Sequence, residues 1–431
     1  MNKHVFQVFA VMAVATVLSA SVLPALAGSR ELTLPHLIEY SLQHNGEIRA
    51  FRSEKGIHEA NKIKAGVLSN STLEFEGSSG ALTGSSSESG LSLGVSQEIL
   101  LAGKRGKRLA VADLELEIYR WQLAERERAL RDEVKTAFYA ALLAEQRAVL
   151  AERSIVLNRQ LLDVSMARLT AGDIPELEVN LVRVELARAE GAHISVKQEL
   201  DQSQAKLMDV IGAPLSERPA ISGDLAESRQ PSAALEDLKL LAQTNRPDLK
   251  VLQAENNRGD AHIDLAQAEG VPNLTAGVAV SRDTASKEIG GVEGRETDYT
   301  IGLKLSIPIP FFDRNQAGVH EARARKQGTE RRLDAYSIKV EREVESAYAG
   351  VLNARSALDL YRERVLPQLD ENLKLTQEAY RLGEVGVLAV IQEQKKFFEV
   401  NDSYLTAMYD NQMALVKLET AVAVDLIGGT R

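Results

Sequence analysis

Two hydrophobic periods alternate along the chain. Between residues 101 and 169, apolar or small residues return every seven positions. One stripe is Leu116, Leu123, Leu130, Ala137, Ala144 and Ala151; a second is Val134, Ala141, Ala148, Ile155, Leu162 and Leu169. Val344, Val351, Leu358 and Val365 repeat in the same way. Sustained heptads predict long helices packed as coiled coils. No proline and, after Gly106, no glycine interrupts the first stretch, so it predicts one helix of about 100 Å at 1.5 Å per residue. Two stripes on one helix predict two helical neighbours, as in a ring or tube.

The other period is two. Leu73 and Phe75 alternate with Thr72, Glu74 and Glu76, and Leu91, Leu93 and Val95 with Ser92, Gly94 and Ser96. Further on, Leu274, Ala276, Val278 and Val280 alternate with small or polar residues, as do Tyr299, Ile301, Leu303, Leu305 and Ile307. These predict four strands, each with one apolar face. The segments between them, 77–90 and 282–298, are long and rich in Gly, Ser and charge, and are expected to be loops. Soluble hairpins turn in two to five residues, whereas outer-membrane barrels carry long external loops. Four strands close no barrel, and an open edge in lipid leaves backbone groups unpaired. Strands of this kind in a membrane require several chains to pool them.

The plan occurs twice. LPHLIEYSLQHNGEIRAFRSE from Leu34 matches LEDLKLLAQTNRPDLKVLQAE from Leu235, with a one-residue slip near the Asn. SLGVSQEI from Ser92 matches TIGLKLSI from Thr300, and LTAGDIPELEV from Leu169 matches YRLGEVGVLAV from Tyr380. Order is kept throughout, so the chain is expected to be a duplication with halves at 28–231 and 232–431. Each half starts with a shorter helical segment (roughly 32–66 and 233–269), followed by two strands (within 70–98 and 273–308). A long helix, a glycine break and a second long helix complete it. The breaks at 170–176 and 382–387 are expected to reverse two helical hairpins, with Gly172 and Gly383 at φ > 0. Ile174, Val385 and Val387 are expected to stand exposed there as contacts for a partner.

Composition narrows the classes. Aromatics are scarce at 5%, which suits long helices better than a large globular core. The net charge of −10 argues against nucleic acid. There is no cysteine, so disulfides, thiolate metal sites and a lipidated N-terminal Cys are excluded. Lys3, the apolar run after it, Pro24 and Ala25-Leu26-Ala27 predict a secretory signal over 1–27. The six histidines beyond it, His36, His44, His58, His193, His262 and His320, form no i, i+4 pair or local cluster. No phosphate-binding loop, nucleophile elbow or His-Glu-x-x-His stands in the chain. No catalytic, cofactor or metal site is expected.

The strand-to-helix junctions are LLAGKRGKR (100–108) and IPIPFFDRNQ (307–316). Pro308 and Pro310 are expected to end strand pairing, and Asp313 to cap the following helix. Phe311 and Phe312 suit a membrane-interface belt. Lys104, Arg105, Lys107 and Arg108 are expected near anionic head groups.

The signal, the duplication, the strand–loop–strand followed by a long helical hairpin, and the paired tips AGDIPELEV and RLGEVGVLAV together resemble the TolC family of outer membrane factors. The resemblance covers essentially the whole chain after the signal. The QEILLAGKRGKR junction, the AGDIPELEVN tip and the missing lipidation Cys look most like its heavy-metal, CzcC-like branch (cobalt–zinc–cadmium efflux). The resemblance implies a mixed, mostly α fold: a homotrimer whose twelve pooled strands form an outer-membrane β-barrel, and whose helical hairpins form a periplasmic tunnel. It implies a passive exit duct of a tripartite efflux pump, embedded in outer-membrane lipid. Its partners would be a periplasmic adaptor (membrane fusion) protein and an inner-membrane resistance–nodulation–division transporter. The tips Gly172, Asp173, Ile174, Pro175, Gly383, Glu384, Val385, Gly386 and Val387 resemble those that meet the adaptor. Acidic rings often narrow the family's aperture just after the second tip. Here those positions are Ala389 and Gln392, leaving Glu178, Gln392 and Glu393 as aperture candidates. The cargo stays open between divalent metals, organic compounds and, in a type I secretion exit channel, protein. A soluble periplasmic coiled-coil scaffold is the alternative of another class.

Overall fold

The computed structural model describes residues 33–82, 87–214, 221–226, 233–290 and 292–426. The expected signal at 1–27 and the centre of the first polar loop lie outside them. The first half runs α1 (Leu34–His44), α2 (Gly46–Ser53), α3 (Lys55–Gly66), β1 (Thr72–Ser79), β2 (Ser89–Ile99), α4 (Lys104–Ala171) and α5 (Glu176–Ile211). The second runs α6 (Leu235–Asn245), α7 (Pro247–Glu269), β3 (Leu274–Ile289), β4 (Val292–Ser306), α8 (Gln316–Leu360), a π-helical turn (Tyr361–Val365), α9 (Leu366–Arg381) and α10 (Val387–Val422). Among the described residues no helix is long and apolar enough to cross a membrane.

The opening segment of each half is broken where a single helical segment was expected. Asn45 ends α1 and caps α2: its Oδ1 accepts from the Glu47 and Ile48 amides at 3.0 and 3.2 Å, and its Nδ2 donates to the Val210 carbonyl at 3.0 Å. A side chain that binds the backbone ahead of it stops one helix and starts the next. At the matching place, Arg246 precedes α7, whose first residue is Pro247. The structural match is therefore Asn45 with Arg246, without the one-residue slip. Leu37 and Leu238, Ser41 and Ala242, and Ile48 and Leu249 fall buried at equal spacing.

The heptad stripes face the core. Leu116, Leu130, Val134, Ala137, Ala141 and Ala144 of α4 are buried, as are Val344, Val351 and Leu358 of α8. A main cluster packs Leu37, Val134, Phe138, Leu142, Leu207 and Met408. Three cations gather at the C-terminus of α10. Arg128 donates to the Thr420 carbonyl at 2.6 Å, Arg246 to that of Ala421 at 3.3 Å, and Lys135 pairs with Glu419 at 2.7 Å. Cations there complement the helix dipole and its unpaired carbonyls. The π-helical turn stands just before Pro367. Pro367 has no N–H to give back to the preceding turn, and its ring crowds the carbonyl four residues earlier.

One antiparallel sheet holds the four strands in the order β1-β2-β3-β4. Residues 282–298, expected as a loop, instead continue the hairpin: β3 and β4 stay paired out to Ile289 and Val292. Thr284 and Thr297 are hydrogen-bonded across it at 3.1 Å, and Lys287 meets Glu296 at 2.9 Å. Cross-strand pairs hold a ladder without an apolar face, so polarity alone misjudged this segment. Lower in the sheet the faces are inverted relative to a soluble protein. Leu73, Phe75, Leu91, Leu93, Val278, Ile301, Leu303 and Leu305 are all exposed, while Ser96 on the polar face is buried.

At the junctions two expectations change. Lys104 is buried and donates to the Val271 carbonyl and to Asn273 Oδ1 at 2.6 Å. Arg105 donates to Gly66 O at 2.7 Å and Lys107 to Asp264 O at 3.0 Å. Lys104 and Arg105 tie the segments that end α7 and α3 to α4, Lys107 reaches a carbonyl within α7, and all three are engaged inside the chain instead of being aimed at head groups. Asn315, at φ 58°, precedes α8. Asp313 accepts from the Asn315 amide at 2.8 Å and so shapes the turn before the helix without capping it. β4 ends before Pro308, and Phe311 and Phe312 are exposed.

Candidate functional site: the hairpin tips

Both hairpins reverse with one device. Gly172 (φ 82°) and Gly383 (φ 81°) lie in the left-handed region. The Gly172 amide donates to Leu169 O and the Asp173 amide to Arg168 O, each at 2.9 Å. The Gly383 and Glu384 amides do the same to Tyr380 O and Ala379 O at 3.1 and 2.9 Å. This pairing satisfies the last carbonyls of α4 and α9 and needs a residue without a Cβ penalty. Extended Pro175 and Gly386 then launch α5 and α10.

The apolar tip residues are not placed as expected. Ile174 and Val387 are buried, at 7% and 2% exposure, and Val385 is half-buried. Val387 packs with Leu161, Val182, Tyr380, Val390 and Ile391, with Val385 against that cluster. Their helix-start positions point them inward at the hairpin, so they hold the tip together. The exposed apolar groups are Leu177 (67%), Leu382 (73%) and Leu388 (56%). Leu177 and Leu388 match in the repeat, a pairing visible in the aligned tips. Gly172, Asp173, Pro175, Gly383, Glu384 and Gly386 are exposed, as is Glu176.

The tips are joined by residues the sequence reading passed over. Arg168, before the first tip, donates to Tyr380 O at 2.8 Å and stacks over the Tyr380 ring at 4.8 Å. Ser165 and the Tyr380 hydroxyl are hydrogen-bonded at 2.9 Å. Tyr380 is 1% exposed. The signal was an asymmetry: Tyr380 aligns with Leu169, and tyrosine is uncommon in this chain. Farther along, Glu185 of α5 meets Lys395 of α10 at 2.8 Å.

The aperture candidates differ in their surroundings. Gln392 is exposed. Glu178 Oε2 and Glu393 Oε1 are each shielded from solvent without a hydrogen-bond partner, and so are both polar atoms of Gln394. Among the described residues no three His, Cys, Asp or Glu side chains form a metal-binding group. Unpaired buried polar atoms are costly, about 1–3 kcal/mol each, and call for a partner.

The outer membrane efflux protein family model matches residues 65–213 and 240–424, more than half of the chain. The cobalt-zinc-cadmium resistance protein CzcC of Cupriavidus metallidurans is 24% identical over 321 residues, covering 74% of each chain. The nickel-cobalt-cadmium resistance protein NccC of Alcaligenes xylosoxydans is 26% identical over 264 residues, 60% of this chain and 55% of that one. Among solved structures, a crystal structure of CusC, described in connection with transmembrane channel formation, superposes with a TM-score of 0.73 at 19% identity. It covers 90% of this chain and 91% of the other.

Proposed function

The chain belongs to the outer membrane efflux protein family, and from that premise we propose that it is the exit duct of a tripartite efflux pump. Three copies pool their strands into one outer-membrane barrel and their helices into a periplasmic tunnel. The cargo is divalent heavy-metal cations, a reading supported by the metals in the resistance-protein names of CzcC and NccC.

The observation that carries this reading is the inverted sheet. Its large apolar residues are exposed, whereas its polar face is sheltered along the middle of the sheet, at Gly94 and Ser96, and open at Glu74, Glu76 and Lys304 on the edge strands. That arrangement is unfavourable in water and favourable with lipid outside and a wet lumen inside. Two open edges, β1 and β4, require pairing with other copies. At the tips, Leu177, Leu382 and Leu388 stand beside Asp173, Glu176 and Glu384. Such a surface suits a periplasmic adaptor that presents apolar and basic groups, with an inner-membrane transporter behind it.

Fractionated cells are expected to hold the protein in the outer membrane, as a trimer on unboiled gels. A deletion strain is expected to lose tolerance to cobalt, zinc or cadmium. A soluble periplasmic monomer would sink the duct. Unchanged metal tolerance with lost tolerance to dyes would move the cargo to organic compounds.

A further inference from the structure

The polar face of the sheet holds an arrangement that neither the hairpins nor the tips require. β1 and β4 are the two edges of the sheet. Yet Lys304 Nζ on β4 lies 3.1 Å from Glu74 Oε2 on β1, and Ser96 Oγ donates to the other carboxylate oxygen at 2.9 Å. Three strand spacings amount to about 14 Å in a flat sheet. Two side chains meet across that distance only if nothing stands between them and the sheet curls toward them. Both conditions hold. The rows between are Gly94 and Ala279, and Ser96 and Gly277. A Cβ added to Gly94 would come within 3.1 Å of the Ala279 Cβ, and one on Gly277 within 2.9 Å of the Ser96 Cβ. β2 and β3 therefore close up on this side, and the polar face is concave.

We propose that Lys304 sets the charge of the lumen at the base of the barrel, by engaging the carboxylate that would otherwise retain passing cations. The inference rests on the channel reading, in which this face lines the duct. Register places Glu76, Asp283, Glu296 and Asp298 on the same face, against only two lysines. Each lysine is committed to one acid, Lys287 to Glu296 and Lys304 to Glu74. Glu98, at the foot of β2, is occupied by Ser69 and Asn273. Divalent cations are held by carboxylate oxygens left free to coordinate. Glu74 has both oxygens occupied, one by a lysine and one by a hydroxyl. A trimer would bring three such carboxylates to one level, and Lys304 keeps that ring neutral so that cations pass without being held.

The test is single-channel recording of the purified protein in planar bilayers under a KCl gradient near 10 mM. At about 0.01 M salt, wall charges act over about 30 Å. Lys304→Met is expected to shift the potassium-to-chloride permeability ratio at least about twofold toward potassium and to make the current sensitive to ZnCl2. Glu74→Gln is expected to shift it toward chloride, and the double variant to return to the unaltered ratio. All shifts are expected to collapse in 1 M KCl, where screening acts within about 3 Å. If Lys304→Met fails to form trimers, the double variant decides. A double variant that assembles and conducts supports an uncompensated carboxylate as the damage; one that also fails makes the pair a brace and overturns the proposal. Open channels with unmoved permeability ratios in both single variants overturn this inference alone. No conductance from the unaltered protein overturns the channel reading, and this inference with it.

Discussion

The two halves of the chain solve the same three problems with different chemistry. At the first joint, Asn45 caps α2 with a neutral amide. Its counterpart Arg246 is buried in an ionic cluster, with Asp248 at 2.6 Å and Glu343 at 2.6 Å. Tyr336 donates to the same Asp248 oxygen at 2.8 Å. In the long helix, α4 runs unbroken for 68 residues, whereas α8 and α9 are parted by the π-helical turn. At the tip, the first half offers a proline and the second a glycine. At these three places the first half uses an uncharged cap, a continuous helix and a rigid proline, while its buried cations Lys104 and Lys135 lie farther along α4. The second depends on buried charge and carries a flaw in its helix, which makes it the half that yields first to acid and to bending.

The largest expected effect tests what the tips share. Leu177→Asp combined with Leu388→Asp is expected to abolish metal export while trimers on unboiled gels persist, because both side chains are exposed and hold up nothing in the chain. Metal tolerance of a complemented deletion strain is the readout. Val385→Asp is a poorer probe, since Val385 packs against the tip cluster. Gly386→Trp is clean, because nothing lies within 4 Å of a Cβ there. Normal export from the leucine double variant would leave the tips as turns and nothing more.

Next come the joints. Removing one partner from a buried ion pair costs about 3–5 kcal/mol, whereas losing a neutral cap costs about 1 kcal/mol. Arg246→Met is therefore expected to lower stability severalfold more than Asn45→Ala, measured by denaturant unfolding. Acid sharpens the contrast. Burial pushes the Asp248 carboxyl up, but the Arg246 hydrogen bond and charge, with the Tyr336 hydroxyl, overcome it and hold it below the usual range. The same contact, added to burial, pushes the Tyr336 hydroxyl up to about 12. A carboxylate with a depressed pKa stabilises the fold fully above its unfolded value, about 3.9, and loses that contribution as pH falls through the folded value. Thermal melts from pH 7 to pH 3 are expected to fall most steeply below about pH 4, and Asp248→Asn is expected to flatten that fall. Asn45→Ala is expected to leave the slope unchanged.

A smaller effect separates the two turn glycines. Both need φ > 0, so Gly172→Val and Gly383→Val each cost about 1–3 kcal/mol from strain. Gly172 has open space around its missing Cβ, whereas a Cβ at Gly383 would approach Arg168 Nη2 at 3.4 Å. The Gly383 variant is therefore expected to melt lower, because it also disturbs the Arg168–Tyr380 contact. Equal melting points would mean that contact adds nothing.

Much of this was legible without coordinates, and the failures share a cause. Heptads and alternation are properties of one element, so the long helices, the sheet and the tip glycines could be read directly. Whether Ile174, Val385 or Val387 faces out depends on where the neighbouring helix lies, which no local pattern records. Lys104 looked like surface charge because nothing in LLAGKRGKR shows that Asn273 and the Val271 carbonyl come to meet it. The ladder from 282 to 298 was missed because polar strands carry no apolar period. The Arg168–Tyr380 contact and the Glu74–Lys304 bridge join residues more than 200 positions apart, beyond any motif.

The smallest predicted effect concerns the flaw in the second helix. Val156 holds in α4 the place that Pro367 holds in α9, at equal distance from its tip glycine. If the proline alone causes the π-helical turn, Pro367→Ala restores a backbone donor and removes the ring clash. The turn then becomes ordinary α-helix, with stability raised by under about 1 kcal/mol because the π turn has already absorbed most of the proline's penalty. Hydrogen exchange gives the sharper readout. Amides at 361–366 are expected to exchange faster than those at 150–155 in the unaltered protein, and the variant is expected to bring the two segments level. If 361–366 stays the faster in the alanine variant, the turn is imposed by packing, and the Tyr361 ring against Tyr404, centroids 6.5 Å apart, is the contact to test. The difference between the two long helices would then be a property of the assembled second half, not of one residue.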